Sequence, residues 1–169
     1  AELIRLSVPV AFPTIGDADR AQLATAFVTL APGAVLLGDH LHIADLAPLL
    51  RARSFRVASI FHHSRTIEDL ANGQPADREA ERRGFEVCDA VIVTSEATRD
   101  YLMSHYAVPP RRIIVAVPGN ERAARSAGPA GSARNILTLG AVIPRKRQDY
   151  LLEVAARLRT GGWCWRIVG

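Results

Sequence analysis

Two hydrophobic rhythms alternate along the chain, one of period two or continuous, the other with the spacing of a helix face. Glu2 to Val8 alternates apolar and polar residues and predicts a strand. Asp17 to Leu30 places Leu23, Ala26, Phe27 and Leu30 on one helix face, with Asp17 as the expected N-cap. Ala34 to Gly38 is a continuous apolar run, which predicts a strand covered on both faces. His40 to Leu50 reads as a helix around Leu41, Leu46 and Leu49, despite Pro48. Phe55 to Phe61 is the next strand, ending at His62-His63, and a polar loop around Asn72-Gly73-Gln74-Pro75 follows. Asp77 to Cys88 predicts a charged helix with Ala80, Gly84, Phe85 and Cys88 on one face. Its Glu79, Glu81 and Glu86, set among arginines, read as a solvated face with local ion pairs.

Ala90 to Thr94 is the clearest buried strand. Ser95 follows it as the N-cap of a helix running to Tyr106, and Glu96 is favourable against that helix's dipole. Arg112 to Val117 is a further strand, introduced by Pro109-Pro110 and closed by Pro118-Gly119. Residues 119–133 lack apolar periodicity and have the composition of a linker. The pattern restarts at Asn135 with a strand, a loop, a helix from Gln148 to Arg159, Gly161-Gly162 and the strand Trp163 to Val168. Strands alternating with helices imply an α/β fold of parallel sheets joined by crossovers. The linker divides it into residues 1–118, most of a first α/β domain, and residues 134–169, the opening βαβ of a second. The alternation is already under way at Ala1 and reaches a glycine after a strand at Gly169, which reads as a piece of something longer.

Composition narrows the class. With 49% hydrophobic and 22% charged residues over 169, the chain is globular, and no apolar run approaches the roughly 20 residues of a membrane helix. No signal-peptide pattern opens it, so a cytoplasmic location is expected. Cys88 and Cys164 lack the spacing of a zinc site or a disulfide scaffold. The net charge of +4 and pI of 9.7 suit an acidic or phosphorylated partner. Nucleic acid is not the expected one, because the arginines are scattered and aromatics make up only 6%.

Charge gains meaning at one place. Gly140 ends the strand Ile136 to Leu139, and Arg145-Lys146-Arg147 stand between it and the next helix; Lys146 is the only lysine in the chain. Ligands of open α/β sheets bind where strands end and helices begin. Arg145 would offer a diphosphate a bidentate fork and Lys146 a compact point charge. The competing reading is a solvated helix start. His62 and His63 end a central strand, where an imidazole can donate to a sugar hydroxyl or a phosphate. Glu68 and Ser95 are further candidates for contact with a polar ligand, Glu68 alternatively facing water. Asp39, His40, His42 and Asp45 have metal-ligand types but no third strong ligand nearby, and read as structural. There is no Gly-x-Ser-x-Gly, no Walker loop and no Gly-x-Gly-x-x-Gly, and no Asp-x-Asp is read as holding a metal-bound nucleotide sugar.

The order of segments is more specific than any of them alone. Ala90-Val91-Ile92-Val93-Thr94-Ser95-Glu96 leads to Arg112-Ile113-Ile114-Val115-Ala116-Val117-Pro118-Gly119. Ile136-Leu137-Thr138-Leu139-Gly140 then precedes Pro144-Arg145-Lys146, Asp149-Tyr150-Leu151-Leu152 and Arg166-Ile167-Val168-Gly169. This series resembles the family 4 glycosyltransferases, retaining enzymes of GT-B architecture, well over residues 55–169 and loosely before them. The resemblance implies two Rossmann-like domains facing a cleft, acceptor held mainly by the first and nucleotide-sugar donor by the second. It implies a donor-diphosphate contact at Lys146, with Gly140 and Arg145 beside it. His62 or His63 matches the family's first-domain histidine near the transferred sugar. No cofactor and no metal are implied, only a nucleotide-diphosphate-sugar substrate and an unidentified acceptor, with peripheral membrane association if that acceptor is a lipid.

Departures accompany the match. Residues 62–68 resemble a His-His-Pro-Leu-Ala-Leu-Glu variant, with Ser64 in place of the proline. Gly140-Ala141 stands where the family often has Gly-Arg. The glycine-rich first strand–turn and the Glu-x7-Glu segment are not in the sequence, so the 169 residues alone are expected to be incompetent for turnover. A non-catalytic nucleotide or sugar-phosphate binding module is the alternative reading. A different Rossmann-like enzyme using NAD is a third, against which the missing Gly-x-Gly-x-x-Gly counts.

Overall fold

The computed structural model describes residues 15–125, 127–128, 134–158 and 162–169. The expected strand Glu2 to Val8 lies outside these residues. So do part of the linker, Arg159 and Gly161. The chain forms two compact units, one comprising residues up to Leu70 with Gln74–Gly119, the other Ala71–Gly73 with Asn120–Gly169.

In the first unit, α1 (Asp17–Val28), β1 (Val35–Asp39), α2 (His40–Leu50), β2 (Arg56–Phe61), α3 (Arg65–Ala71), α4 (Arg78–Glu86), β3 (Ala90–Val93), α5 (Glu96–Tyr106) and β4 (Ile113–Val115) follow in order. The four strands form one parallel sheet in the order β1-β2-β3-β4. Parallel neighbours need a crossover, so every strand ends on the same edge. This is the Rossmann-like alternation expected. The sheet's buried face shows the period of two: Val57, Ser59 and Phe61 from β2 meet Val91 and Val93 from β3 in the core. Leu23 and Phe27 of α1, Leu46 and Leu50 of α2, Phe85 of α4 and Leu102 of α5 complete it.

Some boundaries and environments differ from the sequence reading. Gly16, not Asp17, is the N-cap of α1; Asp17 takes the first helical position, where its carboxylate still meets the positive end of the dipole. Asp17-Ala18-Asp19 is the chain's one Asp-x-Asp, and it lies wholly in that first turn. β1 is not covered on both faces. It is an edge strand of the described sheet, and Val35 and Leu37 are 59% and 55% exposed. Helix α3 was not expected; its seven residues offer too short a window for a periodic signal. Pro48 is accommodated inside α2, near the end of the helix.

The largest correction concerns α4. Glu79 and Glu86 do pair with Arg82 on the solvated face, but Glu81 is only 3% exposed. It continues the stripe Gly84, Phe85 and Cys88 at helical spacing, and that stripe packs on α2. The approach is close because Gly84 has no side chain. A Cβ there would stand 2.9 Å from the Ala44 Cα and 3.0 Å from His40 Cε1.

The second unit pairs β5 (Arg134–Leu139) with β6 (Trp163–Val168) in a parallel two-stranded sheet, with α6 (Gln148–Arg157) between them in sequence. Ile136, Thr138, Trp163, Trp165 and Ile167 are half-buried, whereas Leu137, Leu139, Cys164 and Val168 are exposed. Trp163 and Trp165 thus share the more covered face, and Arg134 lies over the Trp163 ring.

Gly84→Ala tests the α2–α4 contact. In an open helix, alanine would add about 1 kcal/mol of stability over glycine. Here overpacking against backbone costs about 1–3 kcal/mol. A net loss is expected, read as a lower urea or thermal midpoint.

Candidate functional site

The C-terminal edge of the first unit's sheet gathers most of its candidate residues. Asp39 is the last residue of β1, and His62 and His63 directly follow β2; the register pairs Asp39 with Ile60. Asp39 caps α2 through Oδ1, which accepts from the Leu41 amide at 2.9 Å. Its other oxygen lies 3.8 Å from His62 Nε2. His63 Nε2 bonds Glu68 Oε2 at 2.8 Å. Both imidazoles are about half exposed, so each has a carboxylate neighbour and an open side towards solvent. A carboxylate beside an imidazole fixes the ring's orientation. Glu68 does not simply face water: it lies in α3, one turn beyond His63, where it can meet that ring.

Ser95 is the N-cap of α5. Its hydroxyl accepts from the Thr98 amide at 3.1 Å and bonds Thr98 Oγ1 at 2.8 Å, so its hydrogen bonds are engaged within the cap.

Behind the histidines lies a buried polar cluster that the sequence reading missed. Ser64 donates to Glu81 Oε2 at 2.8 Å, and the Arg65 amide donates to Oε1 at 2.9 Å. The Tyr106 hydroxyl also donates to Oε2. Three donors thus converge on a side chain that, as a carboxylate, only accepts. Burial first, and then the contact with Glu81, hold the Tyr106 phenol above its ordinary value. The available signal was positional: Glu81 stands at the spacing of the buried stripe, but its charge argued for solvent.

His40, whose residue type suggested a metal ligand, belongs to the core. Its ring stacks on Phe85 with centroids 3.8 Å apart. Nε2 faces the Glu81 carbonyl at 3.2 Å, and a carbonyl can only accept, so Nε2 carries the proton. The Ser59 hydroxyl at 3.3 Å is then the donor to Nδ1. Among the described residues no group of three or more His, Cys, Asp or Glu side chains could hold a metal ion. A cavity of about 170 Å³ opens beside His40 and Glu81, lined also by Asp45, Arg65, Asp69 and Asp77. Arg65 spans it, 3.9 Å from Asp45 and 3.5 Å from Asp69.

In the second unit, the chain leaves β5 at Gly140, whose φ of 150° a side chain would strain and whose amide donates to the Val168 carbonyl at 2.9 Å. Pro144–Lys146 form a 3-10 turn, and Arg147 caps α6 in the left-handed conformation, φ 52°. The basic residues therefore precede α6 and are not its first turn. Lys146 is exposed and forms no ion pair among the described residues. The side chain of Arg145 lies outside the described set. Arg147 turns to Asp149, 3.5 Å away, and to the Tyr150 ring. Gln148 is buried, and its amide donates to the Ala141 carbonyl at 2.9 Å, which ties the loop's start to the helix's start. Nothing in the sequence singled it out.

The family model described as Glycosyltransferase Family 4 matches residues 33–120, a little over half of the chain. The chain belongs to glycosyltransferase family 4. No curated protein sequence matches it. The matched residues of this glycosyltransferase run from β1 to the end of the first unit and include Asp39, His62, His63, Glu68, Glu81 and Ser95. Gly140, Arg145 and Lys146 stand outside them. No helix among the described residues is long and apolar enough to cross a membrane.

The buried imidazole gives the glycosyltransferase a testable acid sensitivity. Burial lowers His40 to about 4 from an ordinary value of 6.5, against smaller opposing contributions from Glu81 and Asp39. A base depressed in the folded state leaves the unfolded chain binding more protons, so stability is complete above pH 6.5 and declines as pH falls towards 4. The loss from this group alone should approach about 3 kcal/mol at pH 4. Urea unfolding across that range measures it, and His40→Leu should flatten the slope.

Proposed function

We propose that this family 4 glycosyltransferase moves a sugar from a nucleotide-diphosphate-sugar donor to an acceptor with retention at the anomeric carbon, and that it needs no bound metal. The observation that carries the donor assignment is the loop from Gly140 to Arg147. It presents the chain's only lysine, exposed and without an ion pair among the described residues, directly beyond a parallel strand's end. In the reaction the bond from the sugar's C1 to the diphosphate oxygen breaks and one to the acceptor's hydroxyl oxygen forms, the hydroxyl proton passing to the departing diphosphate. Negative charge grows on the departing diphosphate. The ammonium of Lys146 and the guanidinium of Arg145 stabilise that charge more than they stabilise the bound donor, which is the condition for accelerating the step. Gly140 leaves room for the diphosphate to approach the backbone.

His62 and His63 belong to the acceptor-side domain, residues 1–118, and act near the transferred sugar. Each ring has a carboxylate neighbour, Asp39 or Glu68, on one side and is open on the other to a hydroxyl or phosphate oxygen. The domain opening at residue 134 holds the donor. A cytoplasmic location fits a donor of this class, and a lipid acceptor would bring the enzyme to a membrane surface.

Lys146→Ala in the intact protein is expected to lower kcat/KM roughly a hundred- to a thousand-fold for every acceptor, the scale of losing one preorganised charge contact. Calorimetry with UDP, GDP and ADP, followed by transfer assays with the matching sugar donors, identifies the base. Proton NMR of the product reads its anomeric configuration, and rates unchanged by EDTA are expected. Unchanged transfer in Lys146→Ala would remove the diphosphate assignment, and nucleotide binding without transfer or donor hydrolysis would favour a binding module.

A further inference from the structure

The two candidate histidines are exposed, and so in part are the carboxylates beside them: Asp39 is 39% and Glu68 31% exposed. Such surface pairs contribute little to holding a loop. The residue immediately after them is of another kind. Ser64 is 5% exposed, and its hydroxyl accepts from the Ile67 amide at 3.3 Å while donating to Glu81. The next amide, Arg65, donates to the other Glu81 oxygen. Two hydrogen bonds that fasten the start of α3 to the core therefore end on one buried carboxylate of α4. The same carboxylate takes the Tyr106 hydroxyl from the end of α5, and Ser64 and Tyr106 also approach each other at 3.4 Å.

We propose that Glu81 is the positioning residue of the His62–His63 loop: through Ser64 Oγ and the Arg65 amide it fixes the backbone from which both imidazoles project. The proposal rests on the reading of those histidines as part of the sugar site. The physical reason is the one-sided cost of buried polar groups. A carboxylate only 3% exposed regains little hydration when it loses its donors, even beside a cavity. The loop therefore has one seat, with Ser64 under Glu81, and departures of Ser64 or Arg65 from it leave an uncompensated charge inside the core. The histidines, which among the described residues share no hydrogen bond with the core, acquire a defined place from the residues that do. Tyr106 donates to the same carboxylate oxygen as Ser64 and helps to hold it in place.

The test uses the intact protein with its histidine rings labelled at 13Cε1. Signals of His62 and His63 are assigned with His62→Gln and His63→Gln. Glu81→Gln keeps the side chain's shape but replaces one acceptor oxygen by a donor, and Ser64→Ala removes one hydroxyl. Each variant is recorded well below its own melting temperature. The expected result is that the His62 and His63 signals shift or split into several in both variants, with the His105 signal unmoved in Ser64→Ala. A lowered melting temperature with His62 and His63 signals unchanged from wild type would overturn the proposal, since a merely structural carboxylate predicts that outcome. If Glu81→Gln fails to fold, Ser64→Ala decides alone by the same criterion. His62→Ala and His63→Ala with undiminished sugar transfer would instead remove these histidines from the site, a result distinct from the spectroscopic one.

Discussion

A carboxylate inside a protein has to find its donors there, and much of the first unit is arranged around that requirement at Glu81. Its three donors come from two places in the chain: Ser64 and Arg65, where the loop after β2 enters α3, and Tyr106 at the end of α5. Its own backbone carbonyl receives the His40 ring of α2. One residue of α4 thereby joins three other segments that the sheet alone would not hold in register. The apolar packing around it follows suit, with the His40 ring stacked on Phe85 and Gly84 allowing α2 and α4 to approach closely. Replacing such a group by an apolar one can be tolerated in general, whereas removing one partner is costly. That asymmetry makes the cluster a constraint on geometry more than a source of stability.

The parallel sheet supplies the second constraint. Because crossovers carry the chain back each time, Asp39, His62, His63 and Ser95 arrive on one edge although they are spread over 57 positions, from 39 to 95. Three are then given a local partner by the element that follows their strand: Asp39 and Ser95 cap helices, and His63 meets Glu68 one turn into α3, while His62 faces Asp39 of the neighbouring strand. A similar device appears in the second unit. There Gly140 turns the chain out of β5, a 3-10 turn carries Lys146, and the buried Gln148 fastens the loop back to Ala141. Arg147 accepts a left-handed backbone to make the join, a conformation uncommon outside glycine and asparagine and costing of order 1–3 kcal/mol.

The sequence determined the alternation of strands and helices, the strand ends carrying His62, His63 and Gly140, and the family. These are periodic or motif-bearing features, expressed in neighbouring residues. Ser95 shows the same: an N-cap is a local event, and its hydroxyl does what its position foretold. Tertiary structure decided which polar groups are buried, because burial depends on partners far away in sequence. Glu81 looked like one more solvated acid among arginines, yet its donors stand 16, 17 and 25 positions away. β1 read as a doubly covered strand, and its place at the edge of the described sheet left Val35 and Leu37 exposed. Gln148 carried no signal at all until the loop folded back onto it. Local pattern is set by the chain's own period; the partners of a buried charge are set only when distant segments meet.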